Sequence, residues 1–518
     1  MPTPPLHFTV ISDTHYYSKR LGTEGRAYEL DNQKSQKLLA RADDVLRAAF
    51  RQIARDGRSD IVLLSGDVTN NGEMLCHEEF IELLRELRAA GKRVFVITAT
   101  HDYNTNGAVY QGDRKIPTPC AKREGLRELY YEFGPAQSIA YHEESFSYVA
   151  QLAEGYRLFA LNDDKNGRGS SGFSCEAMAW IKEQMDDAKA NGQMIIPMTH
   201  HPAIAPSPFY AMIGKGDMMG GHEAFRERMA DGGMPFLFTG HTHMQDISHC
   251  VSARGNVFYD ITTPSLIGYP GGMRHAVADK DANTLEVATE HITEPLDFDL
   301  QAAFEAQFFG MVRDVIAAAA TSVPRFAEMA RAFSVKPRQS LRLGWVIKPI
   351  ARWLTKLKIG KAARWTKAET GLRPEDYAAI KDDSVVDFII HLVMCLFSGD
   401  APYTPDTPQY KITIGLLNIL DSLLKVFGVK FKTRPLVEPL LYNAGICDDH
   451  ALLDLSAAPV LPVYNETVRE SRKGPWLLAI AMLLLLILLP LLPVAALGAG
   501  LAFLANELRF WKEIRAKT

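Results

Sequence analysis

Short apolar runs, each halting on a polar cluster, punctuate the first part of the chain. Leu6-His-Phe-Thr-Val-Ile11 runs into Ser12-Asp13-Thr14-His15, Ile61-Val-Leu-Leu64 into Ser65-Gly66-Asp67, and Val94-Phe-Val-Ile97 into Thr98-Ala-Thr-His-Asp102. Runs of this length bounded by turn formers predict buried strands. Between them the period changes. Leu38, Ala42, Val45, Leu46, Ala49 and Ile53 share one helical face; Phe80, Leu83, Leu84 and Leu87 share another, closed by Gly91. Strands are predicted again over 146–150 and 157–161, then a helix over 176–190. Met194-Ile-Ile-Pro-Met198 leads into Thr199-His200-His201-Pro202, and Pro235-Phe-Leu-Phe238 into Thr239-Gly240-His241-Thr242-His243; strands over 257–259 and 284–287 close the set. Early strand–helix alternation followed by hairpin-spaced strands predicts an α/β domain over 1–294, with two packed sheets and helices outside. The polar stretch 103–125 predicts a loop over the strand ends.

From about 295 helical periodicity takes over, as in Phe304, Phe308, Met311, Val312 and Val315, and again over 385–396 and 412–426, so 295–470 is expected to be a helical domain. Between Arg325 and Lys367 stand roughly a dozen Lys or Arg and one acid, Glu328, interleaved with Trp345, Trp353 and Trp365. That composition fits an interfacial segment on anionic lipid. Residues 475–505 carry no charge, which exceeds the about 20 apolar residues that a bilayer core requires. Pro490 and Pro493 near its middle allow a kinked single span or a re-entrant hairpin. Basic flanks on both sides, including the short basic tail 506–518, favour the hairpin. Met1-Pro-Thr-Pro-Pro5 enters the first strand without a basic-then-apolar leader. The expectation is a membrane protein with its catalytic domain facing the cytoplasm, held by its C-terminal half.

Overall composition adds exclusions. Hydrophobic residues make up 47% and charged residues 23% of 518, with a net charge of -4, which argues against a nucleic-acid polymer as partner. The six cysteines form no CxxC pair, so neither a disulfide framework nor a thiolate zinc site is expected.

The strand ends carry metal-ligand chemistry: Asp13 and His15; Asp67; Thr100 and His101; His200; His241 and His243. Imidazole and carboxylate are the ligands of Mn, Fe and Zn sites. Residues i and i+2 of an extended strand end face the same way, which pairs Asp13 with His15 and His241 with His243. A carboxylate such as Asp67 can bridge two ions about 3.5–4 Å apart.

The ordered series D-x-H, G-D, a His-Asp pair, H-H-P and G-H-x-H, spread over about residues 6–294, resembles the calcineurin-like metallophosphoesterase superfamily. Ser65-Gly-Asp-Val-Thr-Asn-Asn-Gly-Glu73 followed by His77-Glu-Glu-Phe80 looks most like its bacterial cyclic-nucleotide phosphodiesterase branch. The resemblance implies a four-layer αββα sandwich and two divalent or trivalent ions (Mn, Fe or Zn). Asp13, His15 and His243 would hold the first ion, Asp67 would bridge, and His200 and His241 would hold the second. His101 would contact the scissile phosphate and stabilise the transition state or protonate the leaving oxygen. The implied activity is phosphate-ester hydrolysis by a metal-bridging hydroxide, in the first place of a phosphodiester, on a cyclic nucleotide or a lipid-linked phosphate. The alternative is a weak or inactive binding platform at the membrane. One position departs from the family: its G-N-H-D is here Ala99-Thr100-His101-Asp102. A threonine hydroxyl is a shorter and poorer ligand than a carboxamide, so weaker occupancy of the second site is expected, with Asn104 or water as substitutes. His77 is a candidate substrate contact. Asn162, Asp163 and 170–172 are candidate pocket linings, Asp102 is expected to orient, and His201 to neighbour a ligand.

Overall fold

Strands that are apolar on both faces need cover on both sides. In the computed structural model, which describes residues 2–103, 106–164, 171–207, 210, 215–330, 337–366, 372–399, 401–426, 432–442 and 445–459, they receive it. The strands are β1 (Leu6–Ile11), β2 (Ile61–Ser65), β3 (Arg93–Ile97), β4 (Ala108–Gln111), β5 (Arg114–Pro117), β6 (Ser138–His142), β7 (Ser147–Ala153), β8 (Tyr156–Ala160), β9 (Met194–Met198), β10 (Phe236–Thr239), β11 (Asp246–Val251), β12 (Val257–Thr262), β13 (Met273–Asp279), β14 (Thr284–Glu290) and β15 (His450–Asp454). One sheet runs β15-β14-β13-β1-β2-β3 and the other β11-β12-β10-β9-β8-β7-β6. β1, β2 and β3 are parallel, as are β8, β9, β10 and β12.

Alternate residues of the two sheets meet in one core. Phe8, Val10, Leu63, Phe95 and Ile97 belong to it from the first sheet, and Leu158, Ile196, Met198, Phe236, Phe238 and Tyr259 from the second, all buried. Phe8 meets Phe238 edge-on, with ring centroids 5.5 Å apart. Behind the second sheet, Phe159, Leu161, Ile195 and Leu237 pack with Ile181, Met185, Phe225 and Met229 of helices Cys175–Ala190 and His222–Gly232. Helices Ala42–Arg55 and Met74–Ala89 bury Val45, Leu46, Phe50, Phe80 and Leu84 beside the first sheet. This is a mixed α/β domain followed by a helical region.

The chain divides into two compact units. The first takes in Met1–Val312, Val393–Ala401 and the segment carrying β15; the second takes in Arg313–Leu392 and Pro402–Tyr442. Within the second, Ile359, Ala362, Ala363, Ile380 and Ile412 form one small core, and Tyr410, Ile414, Leu417 and Leu441 another.

Three features depart from the sequence reading. The range 295–470 was expected to be helical throughout, yet β15 joins the first sheet, with Val287 opposite Ala451. Its alternating burial is regular, but a five-residue alternation with no neighbouring strand is too short to separate from a helix end. The stretch 103–125, expected as a loop, contains the hairpin β4–β5 around Gly112-Asp113, a two-residue hairpin signal that the polar composition concealed. Strands β6, β11 and β13 were also not anticipated. No helix among the described residues is long and apolar enough to cross a membrane; the apolar segment 475–505, its basic tail and Asn104 lie outside the described residues.

Candidate metal centre

Parallel strands end at a common edge, and there the backbone does something unusual. Asp13, His15, Asp67, His241 and His243 adopt φ of 49°, 36°, 50°, 67° and 60°, and they are five of the seven non-glycine residues in that region among those described. Such conformations cost on the order of 1–3 kcal/mol each and persist where the surroundings impose them, most often at functional sites. The imposition is visible in the backbone: the Asp13 N–H donates to the Gly66 carbonyl at 3.1 Å and the His15 N–H to the Asp67 carbonyl at 3.0 Å. Two glycines allow the close approach. A Cβ on Gly66 (φ 101°) would lie 2.7 Å from His200 Nδ1, and one on Gly240 would lie 1.9 Å from Ser12 Oγ.

The side chains converge. Asp13 Oδ2 accepts from Ser12 Oγ at 2.6 Å and from the His241 N–H at 2.9 Å. Its Oδ1 has no well-formed hydrogen bond and lies 3.5 Å from His15 Nε2 and 3.3 Å from His243 Nε2. Those two imidazole nitrogens are themselves only 3.0 Å apart. His200 Nδ1–H donates to the Ser65 carbonyl at 2.9 Å, which leaves Nε2 facing Asp67 Oδ2 at 3.1 Å and His241 Nδ1 at 3.3 Å. Asp67 Oδ2 is also 4.0 Å from His15 Nε2, so this carboxylate stands between the two sets. Ligand atoms group as Asp13, His15 and His243; as Asp13, Asp67 and His200; and as His200, His201 and His241.

Nitrogen facing nitrogen around buried, under-bonded carboxylate oxygen is resolved by a cation and by little else. The electrostatics agree. Burial pushes Asp13 and Asp67 up, but His243 and His15 for the former, and His200 and His101 for the latter, hold both well below the usual carboxylate range. Burial pulls His200 down, yet the Asp67 carboxylate lifts it to about 10. A positive charge therefore belongs between His200 Nε2 and Asp67 Oδ2. The residues fit two metal ions.

The flanking residues divide. His101 reaches the site: its N–H donates to Asp67 Oδ1 at 2.9 Å and its Nδ1–H to the Asn70 carbonyl at 2.5 Å. Thr100 opens the single turn Thr100–Asp102 beside it. Asp102 orients, accepting from the Thr69 N–H and Oγ1 and from the Ala99 N–H. Asn162 Nδ2 donates to the Thr98 carbonyl, and Ser171 Oγ to that of Met218, so both brace loops; position 170 is outside the described residues.

His77 is corrected. Both ring nitrogens are engaged away from solvent, Nδ1 with Tyr130 Oη at 2.7 Å and Nε2–H with the Asp102 carbonyl at 2.8 Å. Burial lowers it to about 4. It is a buttress under the Asp102 turn and not a substrate contact. The signal was present: His77 lies on the buried stripe with Phe80, Ile81 and Leu84 of its helix. A His77→Ala variant is expected to lose about 1–3 kcal/mol of stability, since two buried polar groups lose their partner. Inorganic phosphate should bind it as it binds the parent; calorimetric titration with phosphate, beside urea unfolding, checks both.

One residue that sequence reasoning missed also converges here. Lys37, on a connection with no motif, places Nζ 3.4 Å from His15 Nδ1, and burial brings it down to about 8. Asp163, a candidate pocket lining just after β8, meets His201.

Comparisons follow the same lines. The calcineurin-like phosphoesterase family model matches residues 6–245. No curated protein matches the chain. Among solved structures, a dimetal phosphatase from Danio rerio is 15% identical with a TM-score of 0.42, covering 57% of this chain and 98% of its own. A 5'-nucleotidase precursor from Thermus thermophilus is 11% identical with a TM-score of 0.29, covering 62% and 61%. At such scores these likenesses carry no weight for function. The family match, over the same stretch whose strand ends converge on Asp67, makes residues 6–245 a calcineurin-like phosphoesterase domain.

Proposed function

We propose that the chain is a metal-dependent phosphodiesterase, with the first ion on Asp13, His15 and His243, the second on His200 and His241, and Asp67 between them. The observation that carries this reading is the position of Asp67, whose Oδ2 lies 3.1 Å from His200 Nε2 and 4.0 Å from His15 Nε2. Bound ions would supply Lewis acidity to phosphoryl oxygens and lower the pKa of an attacking water.

The protein's own residues do the rest. The His101 N–H holds Asp67 Oδ1, and the Asn70 carbonyl fixes His101 with Nδ1 protonated, leaving Nε2 for substrate. Burial lowers His101 to about 4, so it is neutral before substrate arrives. An anionic phosphate beside it raises that value, and the imidazolium then donates from Nε2 to a phosphoryl or leaving oxygen. Replacing His101 with alanine should lower kcat by about 10²–10⁴ while leaving the metal content intact. Equal loss of metal and rate would give His101 a structural role instead.

The test of the function is turnover of bis-p-nitrophenyl phosphate against p-nitrophenyl phosphate by the full-length chain loaded with Mn²⁺. The full chain is needed because β15 comes from beyond residue 294. A diester preference supports the reading; a monoester preference makes the protein a phosphatase; metal without turnover favours the binding platform. Membrane attachment through 475–505, with the catalytic domain on the cytoplasmic side and a lipid-linked phosphodiester or cyclic nucleotide as substrate, is part of the proposal. Release of the full-length protein from membranes by alkaline carbonate alone would remove that part.

A further inference from the structure

Taking the two-ion site above as its basis, we infer that His201 is a further ligand of the second ion, replacing the carboxamide that position 100 lacks. His201 follows His200 at the end of β9 and is buried, 3% exposed. Its ring centroid lies 4.3 Å from that of His241 and 5.0 Å from that of His200. One ligand atom from each of the three imidazoles lies within 4.8 Å of the other two.

The orientation of the ring is the second observation. Asp163 Oδ1 lies 3.2 Å from His201 Nδ1 and also accepts, at 3.4 Å, from the His201 backbone N–H. Asp163 itself is 1% exposed. A buried carboxylate at Nδ1 selects the tautomer protonated there, so the lone pair is on Nε2. That is how metal-bound imidazoles are commonly held. An imidazole needed only for packing would not require a buried carboxylate to set its tautomer beside two other imidazoles.

The chemistry of position 100 completes the argument. Thr100 offers a neutral hydroxyl on a short side chain, where an asparagine would bring a carbonyl oxygen one bond further out. With Asp67, His200 and His241 alone the second site has three protein ligands, one fewer than Asp13, His15, His243 and Asp67 offer the first. His201 supplies a further ligand from the end of β9, and Asp163 supplies its orientation from just after β8.

The test is Mn²⁺ stoichiometry and affinity of the full-length chain, by calorimetry and elemental analysis. The wild type is expected to bind two ions. In His201→Ala the second ion should be lost or bind at least about a hundredfold more weakly, while the first is retained and reports an intact fold. Asp163→Asn should weaken the second ion about 10–100-fold. Thr100→Asn, added to His201→Ala, should restore it, an effect that a structural role for His201 would not produce. Two ions of unchanged affinity in His201→Ala overturn the inference and leave the phosphodiesterase reading standing; a wild-type chain that binds no Mn²⁺ overturns both. Nitrogen hyperfine couplings in wild-type protein carrying ¹⁵N-histidine give a measurement independent of any variant. Five metal-bound imidazoles support the inference and four overturn it, the four being His15, His200, His241 and His243.

Discussion

Asp67→Asn is expected to lower turnover of bis-p-nitrophenyl phosphate by about a thousandfold or more. The side chain keeps its shape, so Oδ1 can still accept from the His101 N–H. What disappears is the negative charge between the two ligand sets. Removing one neutral donor to transition-state charge from an enzyme costs about 10²–10³, and here an ionic ligand shared by two cations is removed. Asp67 is 1% exposed, so no solvent replaces it. Steady-state kinetics with metal analysis decide the point. Turnover within tenfold of wild type, with both ions bound, would exclude Asp67 from the mechanism.

Arg274→Ala is expected to destabilise the first unit by about 3–5 kcal/mol, the typical cost of breaking a buried charged network from one side. Arg274 lies on β13 and is fully buried. Its guanidinium donates to Thr289 Oγ1, to the Asp448 carbonyl and, at 2.8 Å, to the Thr262 carbonyl. Burial and the neighbouring Asp448 carboxylate raise Asp246 well above the usual range, and Arg274 opposes that shift. Truncation would strip three oxygens of their donor and open a cavity at the point where the segment leading to β15 is tied down. Lysine should not rescue it, since one ammonium cannot reproduce the planar fork. Urea unfolding followed by hydrogen exchange on β14 and β15 measures the loss; a change below about 1 kcal/mol would mean that the network is dispensable.

Strands β1 and β9 were legible to the residue, and the strands leading into Asp67, His101 and His241 nearly so, because a buried strand ending at a polar turn is a local pattern. The candidate ligands were legible as residue types at strand ends, although the left-handed backbone at Asp13, His15, His241 and His243 departs from the extended geometry used to pair them. His77 was misread although its helical stripe was readable, because a histidine near a Gly-Asp loop drew a functional reading that the period contradicted.

By itself, then, the sequence determined the strands that lead into the candidate metal centre and which residue types stand at their ends. Only the tertiary structure decided that Asp163 grips His201, that Lys37 stands beside His15, that Arg274 anchors Asp448, and that β15 pairs with β14. Local periodicity encodes the conformation of one segment and says nothing of its neighbours in space. Asp163 and His201 are 38 positions apart, and Arg274 and Asp448 are 174 apart. Contacts over such separations leave no spacing in a single chain to be read. The left-handed backbone at Asp13, Asp67 and His241 belongs with them, because an unfavourable conformation is held by its surroundings and not by the residue that adopts it.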